Sequence, residues 1–157
     1  LRSVVREAWM STPEIYNYLK VSDTLITGGQ PTADQLRDAA AEGFAVVINL
    51  VPTNPPHSLE GEGELVESLG MEYVHIPVDW GEPTDADFTA FESAMNRLVG
   101  EKTLIHCAAN FRVTAFYSLY ARKYLGWTDE QAEAFRVQIW AGSDYPVWND
   151  FITRRMS

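Results

Sequence analysis

The sequence predicts one α/β domain with a mostly parallel central sheet and helices on both faces. Strand-like and helix-like segments alternate through the middle of the chain, the pattern that places crossover helices on the faces of a parallel sheet. One segment, "FAVVINL" (44 to 50), is apolar without alternation, as expected of a strand covered on both sides. At 157 residues and 46% hydrophobic, the chain can bury a single substantial core. The expected organisation is one domain over 1–157, with about the first 20 residues as an N-terminal extension.

The elements follow in order. Leu25, Ile26 and Thr27 form a short β-prone run that stops at Gly28-Gly29, and Thr32 with Gln35 has the spacing of a capping box that opens a helix to about Glu42. After the 44 to 50 strand and the loop "VPTNPPHS", residues 60 to 69 have modest helical character, and "MEYVHIPV" (71 to 78) alternates as a strand. Phe88, Phe91, Met95 and Leu98 then fall on one helical face between Thr84 as N-cap and Gly100 as stop. A strand over 103 to 106 precedes a helix in "VTAFYSLYARKYLG". Its aromatic stripe, Phe116, Tyr117, Tyr120 and Tyr124, has core spacing. Thr128 and Gln131 cap a helix expected to reach about Ala141, and Pro146 fits the first turn of a last one.

Charge narrows the partners. A formal charge of -10, from 22 acidic against 12 basic residues, repels nucleic-acid phosphates and anionic membrane surfaces. No run of 18 apolar residues is present, so membrane insertion is not expected either. A soluble protein of the cytoplasm or periplasm is the expectation, and the start at Leu1 without methionine leaves a removed leader open. An anion site in such a chain has to be local and built largely from backbone groups. The single cysteine excludes an internal disulfide, and without a Cys/His cluster no metal or other cofactor is expected. His57 and His75, which lack ligand-spaced partners, read as ordinary loop and strand residues.

Cys107 stands in "KTLIHCAANFRVT" (102 to 114), at the end of one strand and before a helix. A tight strand-to-helix turn leaves backbone amides unpaired, and the helix dipole adds positive potential there. The same field favours a thiolate over a thiol, and Arg112 adds a full positive charge. Gly28-Gly29-Gln30-Pro31, by contrast, reads as a structural turn, because no Lys or Ser/Thr follows at the spacing of a phosphate-binding P-loop.

"IHCAANFRVT" resembles the phosphate-binding loop of cysteine-dependent phosphatases, whose signature is His-Cys, five residues, Arg, then Ser or Thr. "LITGGQPTADQL", "GFAVVINL" and "HIPVDWGEPT" occur upstream in the order seen in a bacterial phosphatase-like family related to dual-specificity phosphatases of the protein-tyrosine-phosphatase superfamily. The four blocks span about residues 24 to 120. The resemblance implies a protein-tyrosine/dual-specificity phosphatase-like fold and a hydrolase acting on a phosphomonoester or holding an inorganic phosphate or sulfate. It implies Cys107 as nucleophile and Arg112 with the amides of Ala108, Ala109, Asn110 and Phe111 as the oxyanion cradle. It also implies Asp79 as the acid, preferred to Asp85 and Asp87, which sit where carboxylates cap a helix. His106 would order the loop, Thr114 would hydrogen-bond the cysteine sulfur, and Trp80 would wall the cleft.

One departure is specific. Arg112 lies five positions after Cys107, where the phosphatase signature has six, and Val113 holds the sixth place. An ungapped alignment keeps Thr114 at the hydroxyl position and puts Asn110 where glycine is usual, a place Asn tolerates because it adopts left-handed backbone. A gapped alignment shortens the ring of amides and resembles the loop of rhodanese-type sulfurtransferases, in which cysteine carries a sulfur atom. Three functions therefore stay open: a cysteine-dependent phosphatase, a rhodanese-like persulfide enzyme, and a non-catalytic phosphate-binding or interaction domain.

Overall fold

A computed structural model describes residues 11–53, 58–141 and 144–156. Five strands form one sheet in the order β1-β2-β5-β3-β4: β1 (Leu19–Ser22), β2 (Leu25–Gly28), β3 (Val46–Asn49), β4 (Glu72–His75) and β5 (Thr103–His106). β1 runs antiparallel to β2, and every other pairing is parallel. The predicted α/β class with a mostly parallel sheet is what the chain adopts.

β5 lies in the middle of the sheet, and its four residues are all buried, as are those of β3. Both faces of the sheet are covered, and side chains of one strand alternate between two cores as the two-residue period requires. Val46, Ile48 and Ile105 point into a core shared with α3 (Asp85–Arg97), α4 (Phe111–Tyr124) and α6 (Pro146–Met156). Val47 and Leu104 point into the opposite core, with Leu36 of α1 (Ala33–Ala41), Val66 of α2 (Glu62–Ser68) and Ile15. This explains the unbroken apolar run in β3: a strand between two cores has no polar face.

The helix starts follow the sequence signals. Thr32, Thr84 and Thr128 each accept a hydrogen bond from the backbone of the third helical residue, whose own side chain bonds back to the cap. Removal of such a cap typically costs about 1 kcal/mol. In the stripe predicted for α3, Phe88, Phe91 and Leu98 are buried and Met95 is partly buried, with Phe88 and Phe91 edge-on to Phe116 of α4. Within the α4 stripe Phe116, Tyr117 and Tyr120 are buried, whereas Tyr124 is exposed. Burial pushes the Tyr117 phenol up to about 12, which keeps it neutral in the core.

Several boundaries differ from the sequence expectation, and of the 71 to 78 segment only Glu72–His75 is strand. The 44 to 50 run contributes only Val46–Asn49 to the sheet, because Leu50 and Val51 continue as buried, non-strand backbone. α4 starts at Phe111, because Asn110 takes a left-handed conformation and ends the turn early. α5 (Asp129–Val137) ends four residues before Ala141, since Trp140 leaves the helix to stack on Phe111. β1 carries no strong strand signal, because its burial is partial and it pairs at the edge of the sheet. His57 lies outside the described residues.

Residues 12–22, at the end of the expected N-terminal extension, are part of the fold. A 3₁₀ turn at Thr12–Glu14 is tied to α1 by Ser11 donating to Asp38 and by Thr12 Oγ1 donating to Glu42 Oε1 at 2.6 Å. This segment presses Tyr16 against the turn after β2. A Cβ on Gly29 would lie 2.6 Å from the Ala108 carbonyl oxygen and 2.8 Å from the Tyr16 ring. The oxygen belongs to main chain and can yield only if the loop after Cys107 moves. Gly29→Ala is therefore expected to destabilise the protein by about 1–3 kcal/mol in urea unfolding. An unchanged midpoint would show that the two segments are not packed as described.

Candidate active site

The central strand β5 delivers Cys107 to its carboxyl end, the edge at which ligands collect in sheets of this kind. Three residues, Ala108, Ala109 and Asn110, connect Cys107 to the first turn of α4. The connection closes because Asn110 adopts φ 68°, a conformation Asn reaches more readily than most residues. Its side chain is buried and turns away from the pocket: Nδ2 donates to the Asn17 carbonyl at 2.8 Å and to Thr27 Oγ1 at 3.0 Å. Asn17, itself at φ 52°, returns a hydrogen bond from Nδ2 to the Ala109 carbonyl at 3.0 Å. From the other side the Gln30 amide donates to the Ala108 carbonyl at 3.0 Å. The Ala108 and Ala109 carbonyls are thus held by donors from the turn after β2 and from Asn17.

That pocket, of about 310 Å³, is lined by Cys107, Ala108, Ala109, Phe111, Arg112, Trp80 and Tyr145. The Arg112 guanidinium lies over the Trp80 ring, 5.7 Å from its centroid, and its Nε and Nη1 are buried with no hydrogen-bond partner in the protein. The first-turn amides of α4 have no acceptor four residues back within the helix. A guanidinium, a helix N-terminus and a cysteine sulfur therefore converge in one small cavity. A larger cleft of about 700 Å³ beside β4 is lined by Glu60, Glu64, Glu67, Tyr73 and His75. It holds neither cysteine nor guanidinium, and the smaller pocket is where Cys107 and Arg112 meet.

Aromatic rings build the wall. Trp80 contacts Phe111, Trp140, Tyr145 and Trp148, with ring centroids 5.2–5.9 Å apart. Trp148 Nε1 donates to the Trp80 carbonyl at 2.7 Å, which fixes the loop that carries Trp80. Trp140 stacks flat on Phe111 at 5.0 Å, and its Nε1 donates to Thr114 Oγ1 at 3.0 Å. The Thr114 hydroxyl also lies 2.8 Å from the Asn110 carbonyl, so its proton is directed to helix backbone. Trp140, Tyr145 and Trp148 have no signature at sequence level beyond a high tryptophan content. Their role depends on the return of the C-terminal segment to the pocket.

Asp79 is exposed, and its Oδ1 accepts the Gly81 amide at 2.8 Å. It directly precedes Trp80 and is not among the residues of the pocket wall. The two rival carboxylates are engaged elsewhere: Asp87 closes the α3 capping box, and Asp85 pairs with Arg154 and Arg155. Hydrogen bonds from those arginines hold the Asp85 carboxyl below its ordinary range. His75 Nε2 donates to the Val51 carbonyl at 2.6 Å, a structural bond between β4 and the chain after β3.

His106 is fully buried, with Nε2 2.5 Å from Glu62 Oε2 and Nδ1 3.3 Å from the Cys107 carbonyl. Gln30 Nε2 donates to Glu62 Oε1 at 2.8 Å. Burial alone would raise the Glu62 carboxyl, but the adjoining His106, the hydrogen bonds from His106 and Gln30, and His75 together hold it below its ordinary 4.5. Glu62 is therefore a carboxylate inside the protein. No sequence pattern marks it, since its partner is 44 residues away.

A family model described as "Beta-lactamase hydrolase-like protein, phosphatase-like domain" matches residues 18–123. The Beta-lactamase hydrolase-like protein of Xylella fastidiosa (strain Temecula1 / ATCC 700964) is 29% identical over 102 residues, which cover 63% of this chain and 23% of that protein. The chain thus spans about a quarter of the length of the curated relatives it matches. Among solved structures, a DUF442 protein from Shewanella putrefaciens CN-32 superposes with a TM-score of 0.83 at 33% identity, over 90% of this chain and 89% of that one. P. aeruginosa TpbA in complex with pTyr superposes with a TM-score of 0.69 at 16% identity, over 92% of this chain and 91% of that one. At that identity TpbA bears on the fold alone. Among the described residues no helix is long and apolar enough to cross a membrane.

The depressed Glu62 carboxyl has a consequence for acid stability. A carboxyl whose pKa is lower in the folded than in the unfolded protein stabilises the fold fully above pH 4.5, and the contribution is lost as pH falls through the depressed folded value. Glu62→Gln removes that titration. In urea unfolding the variant should lose stability less steeply below pH 4.5 than the parent does. Parallel acid limbs would contradict a depressed Glu62.

Proposed function

The chain belongs to the beta-lactamase hydrolase-like protein, phosphatase-like domain family, and from that premise we propose that it is a cysteine-dependent phosphatase hydrolysing a phosphomonoester through a cysteinyl phosphate. One observation carries the reading: Cys107 and Arg112 line the same pocket, and two buried guanidinium nitrogens there have no partner in the protein. A buried guanidinium without hydrogen bonds is costly, and its planar fork matches two oxygens of a phosphoryl group. The early position of Arg112 in the sequence is compatible with this geometry, because the short loop and the left-handed Asn110 bring the first turn of α4 directly onto the pocket.

In this reading the Cys107 thiolate attacks phosphorus, an S–P bond forms, and the bond to the ester oxygen breaks. The loop amides and Arg112 hold the oxygens of the transferring group as charge develops. Asp79 gives its proton to the leaving oxygen. It then takes one from the water that breaks the S–P bond and releases inorganic phosphate. The rings of Trp80, Phe111 and Tyr145 suit a flat aryl group behind the phosphate. Thr114, engaged with Asn110 and Trp140, serves here by anchoring the first turn of α4.

A second reading, sulfur transfer through a persulfide on Cys107, is favoured by the four residues between Cys107 and Arg112 and by the apolar Ala108-Ala109 lining. Variants separate the two. Cys107→Ser should abolish p-nitrophenyl phosphate turnover and leave phosphate binding in place, since an alcohol at ordinary pH does not replace a thiolate nucleophile. Arg112→Lys keeps the charge and loses the fork, so phosphate binding should weaken roughly tenfold by calorimetry. Residual turnover in Cys107→Ser, or unchanged phosphate affinity in Arg112→Lys, would remove the phosphatase reading.

The acid is tested by leaving groups. Asp79→Asn should slow alkyl phosphates by about 100-fold and p-nitrophenyl phosphate much less, because p-nitrophenolate departs with little proton assistance. Equal losses on both would assign Asp79 to the turn it closes with Gly81.

A further inference from the structure

Among the described residues Arg37, Arg97, Arg122, Arg154 and Arg155 each pair with a carboxylate. The two arginines without such a partner are Arg112, at the Cys107 pocket, and Arg136, in the last turn of α5. Arg136 is buried, with 8% of its surface exposed. Its guanidinium lies over the Trp140 ring, 5.7 Å from the centroid, and Nη1 donates to the Trp140 carbonyl at a long 3.5 Å. Nε and Nη2 meet no acceptor among the described residues. Burial pushes the guanidinium below its ordinary range, and the charge of Glu133 makes up only part of that. A buried cation with open donors is costly to a fold unless an anion completes it.

Arg136 opens onto a second cavity, of about 230 Å³, between α4, α5 and α6, and no residue of its wall belongs to the Cys107 pocket. Ser118, on the α4 side, directs its proton to the Ala115 carbonyl at 2.8 Å, so the guanidinium is the strong donor there. Glu133, one turn earlier on α5, is exposed and makes no ion pair with Arg136. Its charge disfavours a dianion more than a monoanion. Ala132, Ile152 and Met156 add apolar surface to the same wall. The volume lies below the roughly 300 Å³ at which pockets for drug-sized ligands begin, which restricts the occupant to a small molecule. We propose that this cavity is a binding site for a small aliphatic monocarboxylate, its carboxylate on the planar fork of Arg136 and its alkyl chain along Ala132, Ile152 and Met156. The site stands apart from the phosphatase reading, because it shares no wall residue with that pocket and involves no phosphoester.

The test is a titration of the intact, isotope-labelled protein with n-butyrate, followed by the shifts of backbone amides and of the Trp140 indole. Glu133, Arg136, Asn149 and the Trp140 indole should move along one saturable curve. Arg136→Met keeps an unbranched stem and removes the charge, so butyrate should bind at least roughly tenfold more weakly. Glu133→Gln removes a competing carboxylate and should tighten binding severalfold. Glu133 is exposed, so that variant decides should Arg136→Met not fold. Inorganic phosphate, titrated separately, should move the amides from Ala108 to Arg112 and leave those around Arg136 in place. The proposal is overturned by the absence of a saturable shift around Arg136, by equal affinity in Arg136→Met, by unchanged or weaker binding in Glu133→Gln, or by phosphate acting there at lower concentration than butyrate. Butyrate bound at Arg136 with no phosphate shift from Ala108 to Arg112 would sustain this site and count against the phosphatase reading. The opposite pattern would sustain that reading and remove this site.

Discussion

Everything at this site depends on the reversal of the chain between β5 and α4 within Ala108, Ala109 and Asn110. A turn that short can leave its amides on the inner side only if its carbonyls find donors outside, and one residue must take positive φ. Asn110 meets the second condition, and its side chain helps with the first by clasping Asn17. Gln30 completes the outer ring of donors through the Ala108 carbonyl. The segment from Thr12, the turn at Gly29 and the loop after Cys107 are therefore one packed unit. Gly29 is glycine because main chain on the far side leaves no room for a Cβ.

Charge distribution separates the site from the rest of the molecule. The chain carries a formal -10, yet around Cys107 the buried groups are Arg112, a helix N-terminus and the Glu62–His106 pair. Surface ion pairs such as Arg97 with Glu72 are exposed and contribute little, typically ~0–1 kcal/mol each. Buried groups act in a medium that screens them far less. Arg112 places its guanidinium at the Cys107 pocket of an otherwise acidic protein.

Much of this was legible in the sequence because the signals were local. The capping boxes at Thr32, Thr84 and Thr128, the stripe of α3 and the unbroken run of β3 each depend on neighbours a few residues away. The Cys107 loop was recognisable for the same reason. What sequence did not disclose arises from long-range pairing. Asn17 with Asn110, Glu62 with His106, and Trp80 with Trp148 are separated by 93, 44 and 68 residues. Nothing near Glu62 distinguishes it from Glu60 or Glu64, which line the same cleft but are exposed. β1 was missed because its alternation of Leu19 and Val21 with Lys20 and Ser22 is only four residues long and its apolar side chains are only partly buried at the sheet edge. Helix ends shifted where a tertiary contact intervened, as when Trp140 leaves α5 for Phe111.

The central claim is that Cys107 and Arg112 form a preorganised pocket in which a phosphoryl group is carried on sulfur. It is tested most directly by the identity of the adduct on Cys107, read by intact-protein mass after rapid acid quench from p-nitrophenyl phosphate and, separately, from thiosulfate. The account predicts the mass increment of one phosphoryl group with the phosphoester, absent in Cys107→Ser, and no sulfur increment with thiosulfate. An added sulfur atom from thiosulfate with no phosphoryl adduct from the ester would contradict it and assign the pocket to sulfur transfer.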